Sequence, residues 1–162
     1  MTTAIVHVSR YGTTRECAEE LAGRLPGEAT VVDLRTNDRP DLGRYDTVVI
    51  GAPVYGGKLA GAVGAFCERH RTALLSRTVG LFICCLYEGE KADEELETGY
   101  PAWLSAHAAA ADWFGGAVEV EKLGLVDRFL FRRLAGVRTD IDRVRHDRIA
   151  KFAAVLAAAA GS

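Results

Sequence analysis

Two short segments, DTVVIG at 46–51 and VGLFICC at 79–85, are apolar almost from end to end. A strand with one wet face alternates apolar and polar side chains, whereas a strand covered on both faces reads as a continuous apolar run. These segments predict central strands of a parallel sheet. Further strand patterns lie at 3–8, 29–34 and 117–123, and helical patterns at 13–25, 58–75, 92–113 and 140–159. Strand–helix alternation implies βαβ units with right-handed crossovers. The expected fold is α/β, a doubly wound five-stranded parallel sheet with helices on both faces. A length of 162 residues suits one domain over 1–162.

Composition narrows the classes. Apolar residues make up 49% and charged residues 26%, as in globular domains. No uninterrupted apolar window of about 18 residues exists to span a bilayer. The N-terminus, MTTAIVHV, enters a strand pattern directly, without the layout of a signal peptide, so a cytoplasmic location is expected. The cysteines at 17, 67, 84 and 85 show no C-x-x-C spacing and are expected as reduced, mostly buried thiols. The four histidines are scattered, and no metal site is expected. The net charge of −2 splits into a basic stretch over 122–151, at +5, and an acidic remainder. That stretch suits either a docking face or a solvated helix face with Arg–Asp pairs. The acidic remainder would repel nucleic acid.

In doubly wound sheets ligands bind beyond the carboxyl ends of the strands, where strand order reverses. The first such turn is Ser9-Arg10-Tyr11-Gly12-Thr13-Thr14. It lacks both the lysine of a Walker loop and the three glycines of a dinucleotide fingerprint. Backbone N–H groups at the mouth of the following helix, with the hydroxyls of Ser9, Thr13 and Thr14, suit a phosphate. The alternative is that one threonine merely caps the helix. The second turn contains Pro53, Val54, Tyr55, Gly56 and Gly57, and reads as an irregular, exposed loop. The tyrosine at its tip either stacks on a flat ligand or folds back over the loop. The third, Cys85-Leu86-Tyr87-Glu88-Gly89, supplies a second tyrosine, while Glu88 and Glu90 either charge the site or are solvated. A phosphate pocket between two aromatic plates suits a phosphorylated planar ring system, flavin mononucleotide (FMN). The three turns hold no general acid or base, so no catalytic residue is assigned and chemistry is expected to rest on the cofactor.

The three turns together resemble those of the flavodoxin superfamily, and the resemblance covers essentially the whole chain. Ser9, Gly12 and Thr14 match the pattern of its phosphate loop, with Tyr11 in place of a threonine. The segments GAPVYGGK and LFICCL resemble the strands leading into its other two flavin loops. Three stretches, YGGKL, WFGGA at 113–117 and VDRFLFRRLAG followed by TD at 126–140, are similar to the branch containing menaquinone-dependent protoporphyrinogen dehydrogenases. The resemblance implies a flavodoxin-like fold, FMN, and a basic insertion at about 122–140. It also implies a quinone or a redox protein as partner. Leu125, Phe129, Phe131 and Leu134 form an apolar stripe among Arg128, Arg132, Arg133 and Arg138. A helix so built rests on an anionic membrane surface or a partner, or packs on its own domain. Three functions stay open: a quinone-dependent porphyrinogen dehydrogenase, a single-electron carrier, and a non-redox binding module of the same fold. Oligomeric state is left open by the sequence.

Overall fold

The structure, a computed structural model, describes residues 1–162 except 135 and 137, and at 134 the backbone only. Five strands form a parallel sheet: β1 (Thr2–His7), β2 (Glu28–Asp33), β3 (Thr47–Tyr55), β5 (Thr78–Cys84) and β6 (Ala110–Trp113). Their order is β2-β1-β3-β5-β6, with a short β4 (Lys58–Leu59) antiparallel to β3. β3 and β5, the continuous apolar runs, stand in the middle, with Val48, Val49, Ile50, Leu81, Phe82 and Ile83 essentially sealed from solvent. That placement follows from their composition, since a strand dry on both faces needs covering on both.

The helices supply that cover, and two apolar layers result. One face is packed by α1 (Thr13–Arg24) and α7 (His146–Ala160), whose Leu21, Ile149, Phe152 and Leu156 meet Ile5, Val49 and Phe82. On the other face lie α2 (Gly61–Arg69), α3 (Arg71–Leu75), α4 (Glu90–Gly99) and α5 (Ala102–His107), with Val63, Phe66, Leu74 and Leu104 against Val48, Ile50 and Leu81. Tyr100 is buried, and its hydroxyl lies 2.9 Å from the Ile50 carbonyl and 2.7 Å from that of Phe82, between the two central strands. All four cysteines are buried and free. No helix among the described residues is long and apolar enough to cross a membrane.

Several boundaries differ from expectation. The pattern at 92–113 contains two helices and then β6, the true fifth strand, whose Ala110 and Trp113 pair with Gly80 and Ile83. The alternation at 117–123 yields only β7 (Ala117–Val118), which joins β8 (Ile141–Asp142) in a separate antiparallel pair. The segment 58–75 is β4 followed by two helices, and the last helix starts at His146 rather than 140. The second turn is not irregular: Gly56 and Gly57, with φ of 59° and 75°, form the two-residue turn of a β3–β4 hairpin. The basic insertion contains the expected helix, α6 (Leu125–Leu134). Of that stretch, Ala135, Val137 and the Leu134 side chain fall outside the described residues.

Candidate functional site

β1 lies between β2 and β3, so strand order reverses beside its carboxyl end. A cavity of about 360 Å³ opens there, lined by residues from all three turns. From the first come Ser9, Arg10, Tyr11, Thr13 and Thr14. Gly12 is instead the N-cap of α1, and no side chain caps that helix, so neither threonine is spent on capping. The Gly12 N–H donates to Ser9 Oγ at 3.0 Å, which folds the loop over itself. The Thr13 hydroxyl donates to the Ala117 carbonyl at 3.2 Å. Thr14 is 1% exposed and reaches the Cys84 thiol. The uncapped first turn of α1 presents backbone N–H groups with partial positive charge, as an anion requires.

The second turn contributes Pro53, Val54, Tyr55 and Gly56, and the third Cys85, Leu86 and Tyr87, joined by Cys84. Gly57 completes the hairpin, and Gly89 is the N-cap of α4. Glu88 stands away from the cavity lining, 3.7 Å from the Arg145 guanidinium. Both tyrosines are part-exposed at the rim, 39% each. Tyr55 meets Phe131 edge to face, with centroids 6.1 Å apart. One face of Tyr87 carries the Lys91 ammonium, 3.5 Å from the ring centroid. Cys85 Sγ lies 3.4 Å from the Tyr87 carbonyl, and burial pushes its thiol up to about 12.

Sequence reasoning missed a further wall. Gly116, Ala117, Val118 and Leu123 line the cavity against the first and third turns, and Asp127, Leu130 and Phe131 of α6 line it too. Gly115 and Gly116 were the available signal. A Cβ on Gly115, whose φ is 76°, would sit 2.0 Å from the Arg143 carbonyl oxygen. The Cys85 N–H donates to the Gly115 carbonyl at 3.0 Å, so this tight passage ties the wall to the end of β5. Asp127 pairs with the Arg10 guanidinium at 2.7 Å and accepts the Tyr11 hydroxyl, so α6 is tied to the first turn. The expected stripe on α6 therefore divides. Phe131 turns inward, whereas Leu125, Val126 and Phe129 are 85%, 71% and 56% exposed. Glu95 of α4, equally unforeseen, lines the cavity from below Cys85.

A doubly wound sheet with an uncapped helix N-terminus and two tyrosines at its reversal point defines an α/β protein of the nucleotide-binding kind. The chain belongs to the flavodoxin domain family, which it matches over residues 4–157. It is 27% identical over 154 residues to the quinone-linked protoporphyrinogen IX dehydrogenase of Escherichia coli, covering 86% of this chain and 83% of that one. Flavodoxin 1 of Bacillus cereus superposes with a TM-score of 0.58 at 18% identity, over 96% of this chain and 97% of that one. Rubredoxin oxygen:oxidoreductase of Desulfovibrio gigas superposes with a TM-score of 0.61 at 12% identity. That match covers 99% of this chain but only 36% of the longer protein. The two structural likenesses are likenesses of fold.

Proposed function

We propose that this chain is an FMN-dependent oxidoreductase that takes electrons from a porphyrinogen-type substrate and passes them to a quinone. The observation that carries the reading is the convergence of three strand-end turns on one cavity, with an uncapped helix N-terminus and two rim tyrosines. The residues present fit the cofactor. The first turn of α1 and the Ser9 hydroxyl would hold the phosphate, and Tyr55 and Tyr87 would flank the planar ring. Arg10 lines the cavity with its side chain 60% exposed and its guanidinium paired with Asp127. Bound flavin supplies the electron chemistry; this chain's residues bind it, orient it and limit its contact with water. Phe131 and Leu130 serve the last role by covering the cavity from α6.

The porphyrinogen assignment is supported by the Escherichia coli relative, whose name carries that substrate and a quinone. The quinone as acceptor is supported by the outer face of α6, where exposed Leu125, Val126 and Phe129 share a helix with exposed Arg132 and Arg133. Such a face suits peripheral contact with an anionic membrane, where quinones reside. The test is anaerobic mixing of the FMN-loaded protein with protoporphyrinogen and a soluble menaquinone analogue. Turnover needing both supports the dehydrogenase. Flavin that binds but stays oxidised overturns that substrate and leaves an electron carrier, whereas protein that takes up no FMN overturns the redox reading altogether.

A further inference from the structure

Helix α4 carries five acidic residues, Glu90, Asp93, Glu94, Glu95 and Glu97, and Glu95 is the buried one, at 9% exposure. Its side chain points with Ala92 toward the sheet rather than into water. It lines the cavity, and because Oε2 is sealed from solvent without a hydrogen-bond partner, Oε1 is the oxygen that can face the cavity. Among the described residues no arginine or lysine forms an ion pair with it. The groups that face it are few. Cys85, at the end of β5, is within hydrogen-bond reach, and Lys91 and Glu94 stand on its own helix. Lys91 is turned over the Tyr87 ring, and Cys85 has the Tyr87 carbonyl as an acceptor for its S–H.

A carboxylate left in such a place has no ion-pair partner, and that favours its protonated form. Burial pushes the Glu95 carboxyl above its ordinary value, outweighing the opposing influence of Cys85 and Lys91. A protonated carboxyl is a donor as well as an acceptor. Beside a cavity that fits a planar heteroaromatic ring, an O–H donor finds its match in a ring carbonyl oxygen or an unprotonated ring nitrogen. We propose that Glu95 stands in the cavity wall as a neutral acid and donates a hydrogen bond to an acceptor atom of the ring bound there. The assignment rests on the reading of the cavity as a flavin site. It places a donor on the ring from outside the three turns, without adding charge to the site.

Two measurements test it. In the ligand-free protein, carbon-13 carboxyl resonances are followed against pH, with the Glu95 signal identified by its absence from Glu95→Gln. The resonance is expected to titrate above the ordinary glutamate range; titration within that range overturns the proposal. FMN affinity is then measured against pH in wild type and Glu95→Gln. Glutamine keeps an N–H donor but cannot ionise. Beyond the change that the FMN phosphate's own ionisation causes in both proteins, wild-type affinity is expected to fall on the order of tenfold as pH rises through the Glu95 titration, a step that Glu95→Gln lacks. The same pH dependence in both overturns the hydrogen bond alone. No FMN binding at any pH overturns the cofactor reading, and with it this bond, even where the resonance shows a neutral acid.

Discussion

Thr14 is buried in the cavity lining, where its hydroxyl has one weak partner, the Cys84 thiol. A phosphate there offers a far better acceptor. Thr14→Ala is therefore expected to lower FMN affinity by about 1–2 kcal/mol, and an unchanged titration rejects the role. His7 precedes the same turn, is 1% exposed, and has a buried Nδ1 without a partner. Burial pushes its imidazole below the ordinary 6.5, against the opposing pull of Asp33. The unfolded chain then binds the proton more tightly, so stability is lost as pH falls through 6.5 toward the lower folded value. Wild type is expected to lose more thermal stability than His7→Gln between about pH 7 and pH 5, and equal losses reject this account. Ser9, Tyr55 and Tyr87 were legible in the sequence because residue type and strand-end position pointed the same way. Glu95 and Asp127 were not. Acidic side chains in a helix are ordinarily solvated, and only packing shows that these two face a cavity.

The apolar cores of β3 and β5 were readable because two-sided burial leaves a continuous run. β6 was not, since its Ala-rich approach favours a helix when taken alone. Pairing decides otherwise, as the Ala109 N–H donates to the Val79 carbonyl and the strand completes the ladder on β5. Beyond β6 the chain is held by a clamp. The Arg148 guanidinium stacks 3.8 Å from the Trp113 ring centroid and bonds Asp112, while Trp113 Nε1 donates to Asp93 at 2.8 Å. Gly115 then passes where only a hydrogen fits. Gly115→Ala is expected to cost about 1–3 kcal/mol of stability, with a fall in melting temperature. Because the wall is tied to Cys85, flavin release should quicken in parallel. An unchanged melting temperature rejects the close approach.

Across the whole molecule, large exposed apolar side chains concentrate on α6: Leu125, Val126, Phe129 and Leu130. Arg132 and Arg133 lie exposed at the end of the same helix. Near an anionic surface each contributes on the order of 1 kcal/mol. Replacing both by Gln together with Phe129→Ser is expected to weaken sedimentation with phosphatidylserine vesicles at least about tenfold, leaving FMN binding intact. Equal sedimentation rejects the membrane contact. The side chains that fill the sheet's two faces come from outside this helix, which reaches the rest of the chain through Asp127 to the first turn, Arg128 to the Val120 carbonyl, and Phe131 to Tyr55 and the small cluster of Val118 and Leu123. Sheet and cover are thus separable parts: exchanging the outer face of α6 would change what the molecule can rest against while the packing of the sheet stays as it is.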